Sequence, residues 1–410
     1  MSGRSSARLR REMVDTLERS GSVRSPAVRR VFAEVVRETF VAEVAAREGL
    51  AAVYRPHVPI VTATTSRGAP ISASSAPSIM APMLENLELG EGMRVLEVGA
   101  GSGYNAALLR SLVGRSGTVV SIDLDADLVA RARRAWDESG HLCRGVVGDG
   151  RMGWAPGAPY DRIIVTASSP DIPPAWFDQL REGGLLELPL CMTDAHLPQR
   201  ALTLRREGDL LRSVSSVPAQ FMSLRGADAP EAAATAALRA SVVGADASIT
   251  VFASLSGVAL ARRSNRARQR LIALLLQDGR RLRSIEAGRV HGLIDFLHLS
   301  GLHGLLGCSV GDRHGVAMLA PGGAGIAACL GRDERPGAIV AWGAEEAPAR
   351  LLEQARRWSR LGSPGADDLR VTVAFSARVP GRHWRTVRRG DSRIAFDWVS
   401  GTRQAELKPG

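Results

Sequence analysis

The chain has 410 residues, of which 45% are hydrophobic and 23% are charged, and its formal net charge is +11. This length allows two or three domains, and the composition is that of a folded soluble protein. The sequence has neither a secretory signal nor an apolar stretch of the ~18 residues that a membrane span requires, so we expect a cytoplasmic protein. Four scattered cysteines without a Cys-x-x-Cys pair favour a reducing compartment over a disulfide framework.

The positive charge does not by itself indicate nucleic-acid binding. Every basic residue except Lys408 is an arginine, and aromatic side chains that stack on bases make up only 4% of the chain. We therefore favour an arginine-rich solvated surface and expect no nucleic-acid or membrane partner. The excess of positive charge lies mostly in the C-terminal part, where 26 basic and 17 acidic residues follow from Asp228 to the end. Such a basic region suits an acidic peptide partner.

The N-terminal part is predicted to be helical, followed by a long loop. Apolar spacing and a Ser-Pro start signal predict the helices, and a stretch rich in Pro, Ser, Thr and Gly predicts the loop. These elements are helices at 5–19, 27–36 and 78–87 and a loop at 54–77.

Strands and helices then alternate, which predicts an α/β fold with a doubly wound parallel sheet. The strands are expected near 94–98, 119–123, 144–147, 161–166 and 184–190. The helices between them are expected near 104–112, 126–138 and 174–181.

The composition changes after Gly226, so we predict a catalytic domain over 1–226 and an accessory domain over 227–410. Ala227 to Ala247 is alanine-rich and is predicted as a linker plus a helix. The remainder is predicted to be α+β, with helices at 267–277 and 347–360. Four histidines and one cysteine lie close together in the C-terminal part: His291, His298, His303, His314 and Cys308. Their spacing fits no common zinc site, so no metal is expected.

The strand–turn–helix junction at 95–104 is the most informative motif. Val95 to Val98 predicts a buried strand, and Gly99, Gly101 and Gly103 follow at once. Such a turn lets the backbone approach a ligand closely, and the helix behind it offers free N–H groups. A dinucleotide fingerprint needs a further glycine at position 104, where this chain has Tyr104. The spacing therefore favours S-adenosylmethionine, with an ordinary glycine turn as the alternative.

Several phrases together resemble the protein-L-isoaspartate O-methyltransferase family. The resemblance covers roughly residues 8–225 and implies a Rossmann-like class I methyltransferase sheet, S-adenosylmethionine as cofactor, and a protein or peptide carboxyl group as acceptor. The phrases are Ser75-Ala-Pro77, Val95 to Gly103, Val147 to Gly153, Ala158 to Val165 and Asp178 to Leu190.

The resemblance and the strand ends together assign candidate site residues. Cofactor binding is expected from Glu97, Gly99, Gly101, Ser102, Gly103, Asp123, Leu124, Asp149 and Gly150. Ser75, helped by Ser74, is the candidate catalytic serine that binds the target carboxyl group. Ser72, Thr166, Ser168 and Ser169 are expected on the substrate side. Three alternatives stay open: Asp123 and Ser75 could each simply cap the helix that follows, and Asp149 could be an ordinary turn residue.

Within the family, the chain particularly resembles members that act beside modified ribosomal peptides such as lanthipeptides. The similar parts are Arg67 to Pro77, Gly103 to Leu109, Asp171 to Trp176 and a C-terminal extension that repair enzymes generally lack. This predicts methylation of an aspartate in a modified precursor peptide, followed by closure to an aspartimide or hydrolysis to isoaspartate. The alternatives are a general isoaspartate repair enzyme and a non-catalytic peptide-binding protein on a methyltransferase scaffold.

Overall fold

The structure is a computed structural model that describes residues 5–64, 68, 70–192, 199–226, 236–243, 250–257, 264–302, 305–320, 325–332, 335–343, 346–376 and 378–399. Within these residues the chain forms a ten-stranded sheet, a seven-stranded sheet and a two-stranded hairpin. No helix in these ranges is long and apolar enough to cross a membrane.

The helices cover both faces of the larger sheet, and helices that follow residue 264 pack on both faces of the smaller one. They are α1 Ser6–Arg19, α2 Pro26–Glu34, α3 Ala42–Glu48, α4 Leu50–Val53, α5 Pro77–Asn86, α6 Tyr104–Val113, α7 Ala126–Ser139, α8 Pro174–Gln179, α9 Asn265–Leu275, α10 Val290–Leu299 and α11 Glu346–Arg360.

The strands fall into a first group before residue 220 and a second group after residue 235. The first group is β1 Ile60–Thr64, β2 Pro70–Ser74, β3 Arg94–Val98, β4 Thr118–Asp123, β5 Arg144–Val147, β6 Tyr160–Val165, β7 Leu180–Cys191, β8 Gln199–Glu207 and β9 Leu210–Ala219. The second is β10 Ala236–Val243, β11 Thr250–Gly257, β12 Arg280–Ile285, β13 Leu306–Val310, β14 Arg313–Leu319, β15 Gly325–Arg332, β16 Arg335–Gly343, β17 Leu369–Ala374, β18 Arg385–Arg389 and β19 Ser392–Trp398.

The ten-stranded sheet confirms the predicted Rossmann-like α/β fold. Its order is β18-β19-β17-β9-β8-β7-β6-β3-β4-β5, and β7, β6, β3, β4 and β5 run parallel. Four of these strands, β3, β4, β6 and β7, are largely apolar and buried on both faces, as central parallel strands require, whereas β5 lies at the edge of the sheet. Their carboxyl ends meet at one edge, where ligands bind in such folds.

The predicted N-terminal helices are confirmed and cover one face of this sheet. Leu9, Met13 and Leu17 of α1 are buried together with Phe32 of α2. The Ser25 hydroxyl accepts a hydrogen bond from the Val28 amide at 3.2 Å, so the Ser-Pro signal marks the true start of α2.

The predicted loop at 54–77 is wrong in part, because it contains an antiparallel hairpin. β1 pairs with β2, with Ile60 opposite Ser74. Ser72 and Ser74 point inward and are 4% exposed. Small polar residues on the buried side hide the alternation of apolar and polar residues by which a strand is recognised in a sequence.

The chain after residue 226 is built differently from the prediction in two respects. Ala236–Val243 is strand β10 rather than a helix, because pairing with β11 overrides the helical preference of alanine; the flanking parts of Ala227–Ala247 lie outside the described residues. The last three strands extend the first sheet, since β17 pairs with β9, with Val373 opposite Leu211. A domain division at 226/227 stays a prediction, but the hydrogen bonding of the sheet does not stop there.

Candidate active site

A pocket lies at the carboxyl ends of β3, β4 and β6, under β2 of the hairpin. The glycine turn after β3 forms its floor, and Ser72, Ser74 and Ser75 form its roof. Met80, Met83 and Ile164 add apolar surface from α5 and β6, so the pocket is apolar with a small number of polar groups, as ligand pockets usually are.

The glycines of the turn are required by geometry. Gly99 has φ +101°, and a Cβ at this position would collide with the Thr166 hydroxyl. Gly103 has φ +83°, and a Cβ added at this position would lie only 3.0 Å from the Ala132 Cβ and from the Trp136 indole nitrogen. That nitrogen donates a hydrogen bond to the Gly103 carbonyl at 2.9 Å. The turn is therefore held from behind by α7 while its front faces the pocket.

Glu97 supports the turn from inside the sheet and does not line the pocket. Its side chain is fully buried and accepts hydrogen bonds from Asn105 Nδ2 at 2.8 Å and from the Ser121 hydroxyl. Burial raises the pKa of Glu97 to about 7, against the two hydrogen bonds, which lower it. Glu97 thus ties the start of α6 to β4. Gly103 also lies outside the lining, beneath the turn.

Asp123, Leu124 and Gly150 lie together on one side of the pocket, next to Gly101 and Ser102. The Asp123 carboxylate accepts hydrogen bonds from the Gly101 amide at 3.1 Å and the Asp125 amide at 3.2 Å. The capping alternative for Asp123 is wrong, because the N-cap of α7 is Asp125. Asp123 instead lies where a carboxylate can accept hydrogen bonds from ribose hydroxyl groups.

Asp149 lies outside the lining of this pocket. Its carboxylate accepts a hydrogen bond from the Arg151 amide at 3.0 Å and pairs with the Arg151 guanidinium. Gly150, the next residue, does line the pocket, and its carbonyl accepts a hydrogen bond from the Trp176 indole at 2.8 Å. The turn after β5 therefore presents the backbone of Gly150 to the pocket rather than the predicted Asp149 carboxylate.

Ser72, Ser74 and Ser75 all line the pocket, and we call residues 72–75 the serine segment. The Ser72 hydroxyl accepts a hydrogen bond from Thr62 Oγ1 at 2.9 Å, across the hairpin. The capping alternative for Ser75 is also wrong, because the N-cap of α5 is Ala76 and no side chain caps it. The Ser75 hydroxyl is therefore not taken up by α5.

Of the three substrate-side residues predicted after β6, only Thr166 lines the pocket. Its hydroxyl donates to the Gly99 carbonyl at 2.8 Å, which fixes the turn. Ser168 and Ser169 are buried, and their backbones form bridges to Ser223 and Leu190. They build the wall of the site from behind.

Sequence reasoning missed one wall of the pocket, the segment Phe221–Arg225. Ser168 holds it, accepting a hydrogen bond from the Leu224 amide at 2.7 Å and donating one to the Met222 carbonyl at 2.8 Å. The exposed Arg225 guanidinium donates to the Ile71 carbonyl on β2 at 3.2 Å, across the mouth of the pocket. The segment follows the predicted sheet and has no strand pattern of its own, so only the isolated arginine could have drawn attention to it.

The residues present fit a sulfonium nucleoside. A glycine turn with exposed backbone, a carboxylate at the end of β4 and an apolar surface from the methionines share one pocket. In the described parts of the chain no group of three or more His, Cys, Asp or Glu side chains is placed to hold a metal ion. This fold and site define an S-adenosylmethionine-dependent methyltransferase.

Comparison with known proteins identifies the family. A sequence model of the family "Protein-L-isoaspartate(D-aspartate) O-methyltransferase (PCMT)" matches residues 8–226. The chain belongs to this family and is a protein-L-isoaspartate O-methyltransferase by class. It is 43% identical to a protein-L-isoaspartate O-methyltransferase of Thermococcus sibiricus over 180 residues, which are 43% of this chain and 76% of that protein. A Parvibaculum lavamentivorans relative of the same name is 37% identical over 215 residues, 52% of this chain and 90% of the relative.

A solved structure resembles the chain beyond the family region. It bears the name protein-L-isoaspartate O-methyltransferase, and the match covers 89% of this chain and 96% of that one, with a TM-score of 0.50 and 24% identity. This likeness concerns the fold alone.

Proposed function

We propose that this chain transfers a methyl group to the free carboxylate of isoaspartyl residues in proteins or peptides, as in general repair. The observation that carries the proposal is one pocket in which the serine segment lies opposite the glycine turn and Asp123. The family match and the relatives' names support the same acceptor.

Methyl transfer to a carboxylate depends on the positioning of the two reactants more than on acid–base catalysis. A carboxylate is already ionised at neutral pH and is itself the nucleophile. S-adenosylmethionine supplies an electrophilic methyl group on sulfur. The chain's own residues hold the two reactants in line: Asp123 and the glycine turn on the cofactor side, and the serine segment and Thr166 on the acceptor side. The hydroxyl groups of the serine segment donate hydrogen bonds to the acceptor's carboxylate oxygens, whereas the Thr166 hydroxyl donates to the Gly99 carbonyl, and the roof excludes water.

The methyl ester then has a route to repair that needs no further catalyst. The backbone nitrogen of the next residue attacks the ester carbonyl, a C–N bond forms, and the C–O bond to methoxide breaks. The proton lost from the amide leaves with methanol. The resulting succinimide, or aspartimide, hydrolyses to aspartate or isoaspartate.

A modified precursor peptide is the second candidate substrate, and two observations favour it. The serine-rich stretch Arg67 to Pro77 resembles that of the peptide-modifying members, and the C-terminal part carries the excess of positive charge. This part is attached close to the site, since Arg389 of β18 donates to the carbonyl of Pro170, next to Ser169, at 3.1 Å and to the carbonyl of Met192, just after β7, at 2.9 Å.

Methyl transfer to matched acceptors tests both candidates. The full-length protein is incubated with radiolabelled S-adenosylmethionine and with three peptides: one containing isoaspartate, the same sequence containing aspartate, and a cyclised aspartyl peptide. Label on the isoaspartyl peptide alone is expected for repair. Label on the cyclised aspartyl peptide alone contradicts repair and supports the second candidate. Failure to bind the cofactor in calorimetry supports a non-catalytic binding protein.

A further inference from the structure

A buried arginine lies behind the serine segment. Arg37 opens the short 3-10 helix Arg37–Val41, and none of its surface is exposed. Its Nη2 donates hydrogen bonds to the Ser75 carbonyl at 2.8 Å, to the Ser74 hydroxyl at 3.3 Å and to the Ser74 carbonyl at 3.4 Å. Its Nη1 donates to the Val53 carbonyl at 3.2 Å. One guanidinium thus joins the serine segment to the N-terminal helical layer.

The same guanidinium also contacts the helix that follows the glycine turn. Its central carbon lies 5.4 Å from the centroid of the Tyr104 ring, and Tyr104 is the first residue of α6. Phe40, from the 3-10 helix of Arg37, packs on the same ring with centroids 5.6 Å apart. Arg37 therefore spans the two halves of the pocket, the acceptor roof on one side and the support of the cofactor turn on the other.

Burying the Arg37 guanidinium costs free energy, because a charged group loses its hydration. Burial lowers the pKa of Arg37, and its hydrogen-bond acceptors among the described residues are carbonyl and hydroxyl oxygens rather than carboxylates. Arg37 Nε and the Tyr104 hydroxyl are buried without a hydrogen-bond partner among the described residues. An apolar residue could fill the same space without this cost. The guanidinium therefore contributes something that an apolar residue cannot, namely its hydrogen bonds to the serine segment and to Val53.

We propose that Arg37 is a positioning residue that fixes the serine segment opposite the glycine turn and so aligns the acceptor carboxylate with the cofactor. The planar fork reaches Val53 and Ser75 at once, which a lysine ammonium cannot do. The alignment role rests on the proposed methyl transfer, whereas the fixing of the serine segment does not.

Arg162 is a matched control for this proposal. It is also buried, at 6% exposure, and donates to backbone carbonyls, those of Leu87, of Glu88 at 3.3 Å and of Asp161 at 2.9 Å. It lies in the first half of β6 and does not line the pocket. Replacing either arginine removes a buried guanidinium, but only Arg37 donates hydrogen bonds to the serine segment.

The experiment compares Arg37→Lys with Arg162→Lys in the full chain. Both lower the melting temperature. Arg37→Lys lowers kcat and raises KM for the acceptor, together on the order of 10-fold to 100-fold in kcat/KM, while the cofactor Kd changes by less than about threefold. Arg162→Lys keeps kcat/KM within about threefold of the parent. Equal kinetics for the two variants overturn the proposal.

Amide hydrogen exchange gives a readout that needs no activity and separates the proposal from the proposed function. Residues 72–79 are expected to exchange faster in Arg37→Lys than in Arg162→Lys, with the glycine turn unchanged. Unchanged exchange at 72–79 overturns the proposal. If the parent protein methylates no carboxyl group, the proposed function fails while this comparison still decides what holds the serine segment. Arg37→Gln replaces Arg37→Lys if the latter does not fold.

Discussion

Asp123, the last residue of β4, accepts a hydrogen bond from the Gly101 amide and so joins this strand to the glycine turn. We expect Asp123→Ala to weaken S-adenosylmethionine binding about tenfold or more, because a carboxylate facing the ribose side is lost. Isothermal titration calorimetry measures this. The neighbouring Asp125 caps α7, so Asp125→Ala should cost about 1 kcal/mol of stability with little change in Kd. Equal cofactor Kd values for Asp123→Ala and Asp125→Ala would show that Asp123 does not contribute to cofactor binding.

Glu187 makes stability depend on pH. It is fully buried on β7, accepts a hydrogen bond from the Thr203 hydroxyl, and has one oxygen without a partner in the described structure. Burial raises the pKa of Glu187 to about 8. A carboxyl group whose pKa is higher in the folded state stabilises the protein at low pH, and this contribution is lost as pH rises from about 4.5 to about 8.

We therefore expect Glu187→Gln to flatten the pH dependence of the free energy of unfolding over that window. The difference between parent and variant should grow with pH by roughly 1.4 kcal/mol for each unit of the pKa shift. Urea unfolding at pH 5 and pH 8 measures it. Parallel curves for the two proteins would mean that Glu187 is ionised in the folded state.

At the scale of elements, the proposed acceptor side of the pocket lies between β2 and the segment Phe221–Arg225. The Arg225 guanidinium is exposed at the mouth, where it is placed to pair with an acceptor carboxylate. Arg225→Ala should raise KM for the acceptor about 3-fold to 10-fold and leave the cofactor Kd unchanged. Arg212→Ala on β9, whose partner is Glu207 at 3.1 Å, serves as control. A higher cofactor Kd instead would place Arg225 on the cofactor side.

The elements also explain which parts of the site could be predicted from the sequence. The glycine turn and Asp123 follow apolar strands of a regular parallel sheet, so their meeting point follows from strand ends alone. The hairpin and the segment Phe221–Arg225 owe their shape to partners distant in sequence, Arg37 and Ser168. No local pattern encodes such contacts. Helix α10 was missed for a related reason: it is buried nearly all round, so it has no amphipathic stripe.

At the scale of the whole molecule, the C-terminal part is joined to the methyltransferase sheet by a buried ion pair. Arg200 on β8 and Asp295 on α10 lie 2.7 Å apart at 1% and 4% side-chain exposure. Arg200 also donates to the Ser216 hydroxyl at 2.6 Å and to the Ala366 carbonyl at 3.3 Å. One core cluster contains residues from both parts, among them Trp176 and Leu293.

Asp295→Asn should therefore destabilise the entire chain by roughly 3–5 kcal/mol, because it leaves the Arg200 charge buried without a counter-ion. Thermal unfolding followed by the tryptophan signal and by cofactor binding should report one shared transition at a lower temperature. Asp312→Asn, on the turn between β13 and β14, is the control. Two separate transitions would show that the parts unfold independently.

The placement of β17 beside β9 has a consequence for synthesis of the protein. The ribosome completes β9 at residue 219, but β17, which pairs with Leu210–Arg212 of β9, begins only at residue 369. While the intervening chain is made, β9 presents unpaired backbone groups that invite pairing with other chains. The nascent protein thus exposes this edge of β9 for a long interval before β17 pairs with it. Conditions that slow folding relative to synthesis, such as high temperature, should increase the fraction that binds chaperones or aggregates.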